Sequence, residues 1–232
     1  MFGLLKALRQ KRRIKRLERE TAEETFSRYY ARNSWGDRES ASGKGSNLAV
    51  TAALRAALPG VFARFGVKSL LDVPCGDFNW MSRVDMAGID YTGGDIVPAL
   101  IADNTKRHGS DRVRFTVINL MKTPLPHADM IFTRDCLVHL SLADASAAVS
   151  NIRKSGATYL MATNFPSTAA NADILTGQWR PLDLCKPPFN FPEPLHVVDE
   201  KFVNASGQHS DKCMGIWTIA DLPEPTSAPE AK

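Results

Sequence analysis

The sequence lacks the features that mark several large classes of protein. Its four cysteines have no C-x-x-C spacing and no paired His and Cys clusters beside them, which argues against a zinc module. No apolar stretch is long enough to span a membrane, and no signal-peptide pattern or internal repeat is found. We therefore expect a cytoplasmic protein with reduced thiols.

Net positive charge is lacking beyond the N-terminus. The net charge is +4, but the first 20 residues carry eight basic and two acidic side chains, so the rest of the chain is slightly acidic. Basicity confined to one arm argues against a nucleic-acid-binding body. Residues 1–32 are predicted to form a basic amphipathic helical arm, in which residues 2–17 suit an anionic membrane surface. A solvated helix packed on the domain or on a second subunit is the alternative.

The most informative segment is SLLDVPCGDFNWM, at residues 69–81. Its apolar start predicts a short buried strand, and the proline and glycine that follow predict a tight turn leading into a helix. Only one of the three glycines of the dinucleotide fingerprint is present. An ordinary buried strand and turn is the simplest alternative.

This turn resembles the first motif of the class I S-adenosylmethionine-dependent methyltransferases. The family more often has further glycines where this chain has Pro74 and Phe78. In that family the loop lies against the amino-acid end of the cofactor. The resemblance therefore assigns cofactor contacts to Asp72, Pro74, Cys75, Gly76 and Asp77.

A second predicted strand, residues 89–97, leads to an acid at its C-terminal end. Asp95 follows Asp72 by 23 residues. An acid about 20 residues on is where such folds bind ribose hydroxyls, because an ionised carboxylate accepts two hydrogen bonds from a vicinal diol. We expect Asp95 to bind the ribose of S-adenosylmethionine, with Ile96 beside it.

The third predicted strand, residues 113–118, ends at Asn119 and Leu120. The family resemblance implies that an acid or amide here contacts the adenine edge and that its apolar neighbour lies against the ring. Asn119 and Leu120 are the residues that would take these roles.

Strands that alternate with helical spacers predict a mainly parallel sheet. The later predicted strands are residues 128–133, 157–163, 195–202 and 213–220. The last two resemble the two-strand end of a methyltransferase sheet. With 232 residues, 44% of them hydrophobic, one large core is expected. We predict a single Rossmann-like, doubly wound α/β domain at 33–222, with a mainly parallel seven-stranded sheet whose last strand is antiparallel, and a disordered tail at 223–232.

Polar and aromatic loops are predicted to reach the substrate pocket above the C-terminal ends of the strands. The glycine-rich segment 33–46 precedes the first strand, and in similar methyltransferases such a segment folds over the cofactor or substrate. Its alternative is a capped turn leading into a helix. The long loop 164–194 combines stiff prolines with flat aromatic faces. The candidate substrate contacts are Trp35, Ser42, Gly43, Trp179 and Arg180.

Methyl transfer to a hydroxyl needs a base for its proton. His139 and Asp135 follow the fourth strand four residues apart, so on a helix they would share one face. We expect His139 to be the general base and Asp135 to orient or charge it. The alternatives are a helix cap for Asp135 and a hydrogen-bonded core histidine for His139. Arg134 is a further candidate, for the cofactor, for an acidic substrate group or as a brace for Asp135. No metal-ligand spacing accompanies them.

These patterns predict an S-adenosylmethionine-dependent methyltransferase that acts on a hydroxyl oxygen of a small molecule or glycan, with no nucleic-acid partner and no metal. The N-methylating run Asn/Asp-Pro-Pro-aromatic is absent after the fourth strand, which disfavours nucleobase and amide nitrogens. Two rivals share the fold. A nicotinamide-dependent oxidoreductase would need the fuller glycine motif, whereas a non-catalytic module would bind the nucleoside or a partner without turnover.

Overall fold

The structure, a computed structural model, describes residues 2–202 and 210–226. In this part of the chain the helices are α1 (Phe2–Leu17), α2 (Ala22–Ala31), α3 (Ala52–Arg64), α4 (Pro98–His108) and α5 (Leu142–Arg153). The strands are β1 (Ser69–Asp72), β2 (Asp90–Asp95), β3 (Val113–Val117), β4 (Met130–Thr133), β5 (Tyr159–Asn164), β6 (His196–Asp199) and β7 (Cys213–Thr218). Short 3₁₀ turns occupy Lys44–Ser46, Met81–Arg83, Leu137–His139 and Ile219–Asp221.

The strands form one seven-stranded sheet in the order β3-β2-β1-β4-β5-β7-β6. Neighbouring strands from β3 to β5 are parallel, and β7 runs antiparallel to both β5 and β6. The predicted fold class, including the antiparallel last strand, is confirmed. Every predicted strand is present, with ends that differ from the prediction by a few residues.

Alternate side chains of the central strands pack into two separate cores, one on each face of the sheet. Leu70 packs with the buried residues of α3 on one face, whereas Leu71 packs with those of α5 on the other. The same alternation holds in β4, where Ile131 lies on the α5 side and Phe132 on the α3 side. A sheet covered on both faces explains why these strands are apolar throughout.

The prediction of a helix directly after the glycine turn is wrong. Residues 74–80 form turns, and the first helical element is the short 3₁₀ turn Met81–Arg83. Gly76 and Phe78 have left-handed backbone angles, with φ of +54° and +56°, which a right-handed helix cannot contain. The carboxylate of Asp77 also binds an earlier segment of the chain, as described below.

The N-terminal arm consists of two helices with different surroundings. Thr21 begins α2 with a capping box that includes Glu24. Helix α2 packs against α4, and the Tyr29 hydroxyl donates a 2.8 Å hydrogen bond to the carbonyl of Gly177. Residues 6–13 of α1 are exposed. The part of the arm that is shown to stand away from the domain is therefore residues 6–13 of α1.

The predicted long loop 164–194 begins at the last residue of β5, and its residues 165–194 contain no helix or strand but are well packed. Leu184 and Phe189 are fully buried in the core on the α5 side. The predicted tail begins on the same surface, where Glu224 pairs with Arg153 and the Thr226 N–H donates to the carbonyl of Pro188. Residues 227–232 of that tail lie outside the described residues. Among the described helices, none has the length and apolar character needed to cross a bilayer.

Candidate functional site

A cavity of about 880 Å³ opens at the C-terminal ends of the parallel strands. Doubly wound α/β proteins bind their ligands at this edge. The cavity has one half beside β1 and β2 and another beside β4, β6 and β7. The predicted site residues that line it are Trp35, Ser42, Gly43, Asp72, Pro74, Cys75, Gly76, Asp77, Asp95, Ile96, Leu120, Arg134, Asp135, His139 and Trp179.

The glycine turn is held close to the sheet and to an earlier segment. The Cys75 N–H donates a 2.8 Å bond to the carbonyl of Gly94 in β2. A Cβ at Gly76 would lie 2.3 Å from Oγ of Ser42, so only glycine fits between the turn and this segment. The Asp77 carboxylate accepts hydrogen bonds from the Ala41 N–H at 2.7 Å and the Ser40 hydroxyl at 3.0 Å.

Residues 40–47, which we call the strap, cross the cavity. Asp77 holds the first end of the strap, and an Arg134 guanidinium N–H donates a 2.9 Å bond to the carbonyl of Gly45 near its other end. Gly43 has φ of +92°, and a Cβ there would meet Cβ of Trp35 at 2.7 Å. Trp35 in turn packs edge-on against Tyr29 of α2. The predicted segment before β1 therefore does fold over the cavity.

Two buried carboxylates lie in the half beside β1 and β2. The Tyr91 hydroxyl donates a 2.6 Å bond to Asp72, and burial raises the pKa of Asp72 to about 8. Asp95 accepts hydrogen bonds from the N–H groups of Gly76 at 3.2 Å and Val97 at 3.0 Å, and burial raises its pKa to about 6. At neutral pH Asp95 is thus largely ionised and able to accept hydrogen bonds from a ligand.

The predicted adenine contact at Asn119 is not supported by the structure. Its side-chain oxygen accepts a 3.0 Å bond from the Met121 N–H, and Asn119 does not line the cavity. A short amide that bonds two residues ahead forms a local turn, which uses its acceptor. The apolar neighbours Ile118, Leu120 and Met121 line the cavity instead.

The half beside β4, β6 and β7 contains four buried or half-buried charges that balance one another. Arg134 makes a bidentate pair with Glu200, with N–O distances of 2.5 to 3.1 Å. Lys212 donates a 2.6 Å bond to Asp135 and lies 3.5 Å from Glu200. The guanidinium of Arg134 is therefore committed to protein groups, which supports its predicted role as a brace, since Asp135 lies 3.3 Å away.

Glu200 and Lys212 are site residues that the sequence analysis missed. They adjoin the ends of β6 and β7, where the register pairs Asp199 with Cys213, and the Glu200 N–H donates to the carbonyl of Lys212. A sequence signal for them exists: the two closing strands are predicted to pair, and residues that lie opposite each other at the end of such a pair are neighbours.

His139 lies on a 3₁₀ turn, Leu137–His139, so the expected shared helical face with Asp135 is wrong. Asp135 has φ of +53°, which interrupts any helix, and Ser141 caps α5 instead. Nδ1 of His139 lies 2.8 Å from the carbonyl oxygen of Gln178. A carbonyl only accepts, so Nδ1 carries the proton and Nε2 retains its lone pair. A backbone carbonyl, not Asp135, orients the ring.

The pKa values of His139 and Asp135 are both lowered, but for different reasons. Burial lowers the pKa of His139, which keeps its imidazole neutral at pH 7. Burial would raise the pKa of Asp135, but the adjacent Lys212 and Arg134 hold it well below its usual range. A neutral imidazole can accept a proton near neutral pH, whereas this carboxylate stays ionised.

Arg180, a predicted substrate contact, does not line the cavity. Arg180 is buried, lies outside the cavity lining, and donates to the carbonyls of Leu137 at 2.8 Å, Leu140 at 3.0 Å and Ala172 at 2.9 Å. It therefore braces the turn that carries His139. Its neighbour Trp179 does line the cavity and is 43% exposed. Among the described residues, no group of three or more His, Cys, Asp or Glu side chains has a metal-binding arrangement.

No protein-family model matches the chain, and a search of the curated proteins also gave no match. Solved structures do match. The chain is similar to 1,6-didemethyltoxoflavin-N1-methyltransferase from Burkholderia thailandensis, solved with its substrate and S-adenosylhomocysteine, at 19% identity over 84% of this chain and 85% of that chain, with a TM-score of 0.56.

The methyltransferase domain of bacterial CtHen1-CN is also similar, at 12% identity over 73% of this chain and 99% of that domain, with a TM-score of 0.54. Human N-acetylserotonin methyltransferase matches at 17% identity over 63% of this chain, with a TM-score of 0.45, and this chain spans only 42% of its length. Together with the strand order, the similarities to the Burkholderia thailandensis enzyme and to the CtHen1-CN domain establish the architecture: the chain has the fold of the class I S-adenosylmethionine-dependent methyltransferases.

Proposed function

We propose that this protein transfers a methyl group from S-adenosylmethionine to a hydroxyl oxygen of a small molecule or glycan. The observation that carries the proposal is that one cavity contains both Asp95 and His139. Asp95 is the expected ribose-binding acid, and His139 has a lone pair available for a proton. A volume of about 880 Å³ accommodates a nucleoside cofactor and a second small molecule together.

The half of the cavity beside β1 and β2, which we call the cofactor half, has residues that fit S-adenosylmethionine. The half beside β4, β6 and β7 is called the acceptor half. Asp95 would accept hydrogen bonds from the two ribose hydroxyls, and the strap with the turn at Gly76 would enclose the amino-acid end. Ile96, Leu120 and Met121 supply an apolar surface for the adenine ring. When bound, the cofactor supplies an electrophilic methyl group on a positively charged sulfur.

His139 would act on the acceptor in the other half. Nε2 of His139 would take the proton of the acceptor hydroxyl, and S-adenosylmethionine would supply the methyl group that the oxygen receives, leaving S-adenosylhomocysteine. Arg180 acts through His139 by bracing the 3₁₀ turn, so it is a positioning residue.

The strand order disfavours a nicotinamide-dependent oxidoreductase. The dinucleotide-binding fold has the order 3-2-1-4-5-6, whereas here the antiparallel β7 lies between β5 and β6. A non-catalytic nucleoside-binding module would not require a neutral histidine with a free lone pair in the cavity. Saturating S-adenosylhomocysteine should raise the melting temperature by several degrees, while NADH should leave it unchanged. The reverse pattern would overturn the proposal.

We also propose that the protein works in the cytoplasm and contacts an anionic membrane face through residues 2–17. The exposed residues 6–13 of α1 carry five basic side chains and no acid. Leu17, at the end of α1, is buried against the domain, where Gly177 lies close to its side chain. Gly177 precedes Trp179 in the cavity lining by two residues, so a surface bound to α1 would lie near the acceptor half.

A further inference from the structure

The four charges of the buried cluster differ in how they are neutralised. Arg134 and Glu200 have side-chain exposures of 4% and 0% and neutralise each other in a bidentate pair. Lys212 is as buried as Arg134, at 4%, whereas 26% of the Asp135 side chain is exposed. Arg134, Asp135 and Lys212 all line the cavity, but the guanidinium of Arg134 is committed to Glu200, so Asp135 and Lys212 present a carboxylate and an ammonium to whatever occupies the acceptor half.

Asp135 keeps one carboxylate oxygen for a ligand. Oδ2 accepts the 2.6 Å bond from Lys212 and lies 3.3 Å from Arg134, whereas Oδ1 makes no hydrogen bond with any residue that the structure describes. The backbone at Asp135 has φ of +53°, a strained conformation that is uncommon for residues other than glycine. Such strain is typical of a side chain that is held in place for binding.

Lys212 complements this oxygen with donors. Its ammonium carries three N–H groups, of which one reaches Asp135 at 2.6 Å and another points towards Glu200 at 3.5 Å. Nζ also lies 5.4 Å from the centre of the Phe202 ring, which lines the same cavity. A ligand hydroxyl placed here would donate to Asp135 and accept from Lys212, which satisfies both of its hydrogen-bonding functions.

We infer that Asp135 and Lys212 recognise a second hydroxyl of the acceptor, next to the one that His139 deprotonates, and that the acceptor is therefore a vicinal diol. This inference rests on the proposed function and specifies its substrate class. A charged acceptor fits less well than a neutral one. A carboxylate on the acceptor would be repelled by Asp135, and an ammonium would be repelled by Lys212 and Arg134. The aromatic faces of Trp35, Trp179 and Phe202 suit a ring that carries the diol.

Diols on a sugar and on a catechol share this chemistry, and defined probes distinguish the two sources. The test measures transfer of a labelled methyl group to methyl α-mannopyranoside, to its 3-deoxy analogue, in which no two hydroxyls are vicinal, to catechol and to phenol. We expect label on one of the diols and at least tenfold less on the analogue that lacks its vicinal pair. Equal labelling of a diol and its analogue would overturn the inference.

A pool of natural acceptors gives the same test without a chosen probe. An extract of cells that express the protein is labelled before and after treatment with periodate, which cleaves the carbon–carbon bond of a vicinal diol and is itself reduced to iodate. The inference predicts that oxidation removes most of the labelling. Labelling that survives oxidation, or no labelling of any diol by a protein that binds S-adenosylhomocysteine, would overturn it. Failure to bind S-adenosylhomocysteine would instead overturn the proposed function.

Matched variants assign the effect to the pair. Asp135→Asn keeps the side-chain shape and tolerates a positive φ, and Lys212→Met removes the donors while filling the same space. Both should raise KM for the diol at least tenfold and leave the affinity for S-adenosylhomocysteine unchanged. An unchanged KM in both variants would contradict the inference.

Discussion

The carboxylate of Asp77 accepts a 2.7 Å hydrogen bond from the backbone N–H of Ala41, which lies 36 residues earlier in the chain. The Asp77 N–H returns a 2.9 Å bond to the hydroxyl of Ser42. These bonds fasten the strap to the glycine turn. The cofactor half of the cavity therefore depends on a close contact between two loops.

Gly76→Ala should disrupt this contact. Its Cβ would meet Oγ of Ser42 at 2.3 Å, and φ is +54°, so we expect a loss of about 1–3 kcal/mol in the free energy of unfolding and weaker binding of S-adenosylhomocysteine. Gly60→Ala in α3 is the control, because no atom lies within 4 Å of its Cβ and helix propensity favours alanine by up to about 1 kcal/mol. Urea unfolding and calorimetry measure both effects. A Gly76→Ala protein with wild-type stability and affinity would refute the close contact.

Glu200→Gln should destabilise the fold strongly. The substitution leaves Arg134 buried without its bidentate partner, and removing one member of a buried pair costs about 3–5 kcal/mol. Asp90→Asn breaks the pair with Arg112, in which both side chains are more than half exposed, and should cost at most about 1 kcal/mol. Urea denaturation of the two variants decides the matter. Equal, small effects would mean that the Arg134–Glu200 pair contributes little.

His139→Asn should lower kcat by about 10²–10⁴ without changing the affinity for S-adenosylhomocysteine, because the amide N–H can still donate to Gln178 but no base remains. Burial lowers the pKa of His139, so the neutral base is present above its ordinary value of 6.5. With saturating cofactor, wild-type kcat should be constant above pH 6.5 and fall at lower pH as His139 is protonated. A variant that keeps the wild-type rate and acid limb would exclude His139 as the base.

The basic helix α1 should bind anionic vesicles. Replacing Arg9, Arg12 and Arg13 with Gln removes three of its exposed charges and leaves the domain contact at Leu17 unchanged. Sedimentation with phosphatidylglycerol vesicles should recover the wild type and much less of the variant, and binding should weaken with salt. If phosphatidylglycerol vesicles recovered no more of the wild-type protein than neutral phosphatidylcholine vesicles do, the proposed electrostatic contact would be excluded and α1 would be treated as a solvated helix.

Much of the fold followed from local patterns in the sequence. The apolar runs identified every strand. The 23-residue separation of Asp72 and Asp95 predicted that each acid ends a parallel strand, and both acids do lie at one edge of the sheet. Such patterns succeed because parallel strands are buried on both faces and end at the same edge.

The parts that the sequence analysis missed depend on contacts between distant segments. The helix expected after Gly76 does not form, because the strap uses the Asp77 carboxylate and the turn has left-handed angles. Arg180 contains the functional groups of a substrate-binding residue, but the fold directs them to backbone carbonyls. Lys212 meets Asp135 across 77 residues, a separation at which no local pattern operates.

The most direct test of the account is a calorimetric titration with S-adenosylhomocysteine. Micromolar binding is expected at pH 7.5, and Asp95→Asn should weaken it roughly 10- to 150-fold, the value of charge-assisted hydrogen bonds of about 1.5–3 kcal/mol. Asp90→Asn, at the exposed start of the same strand, should bind like the wild type.

The pH dependence of the same titration adds a second criterion. Burial raises the pKa of Asp95 to about 6, so the ionised form that would accept the ribose hydrogen bonds predominates above pH 6 and is lost below it. At pH 5 the affinity should be about tenfold weaker than at pH 7.5, and this loss should disappear in Asp95→Asn. No binding of S-adenosylhomocysteine, or binding that is indifferent to Asp95, would contradict the cofactor site on which the proposed methyl transfer depends.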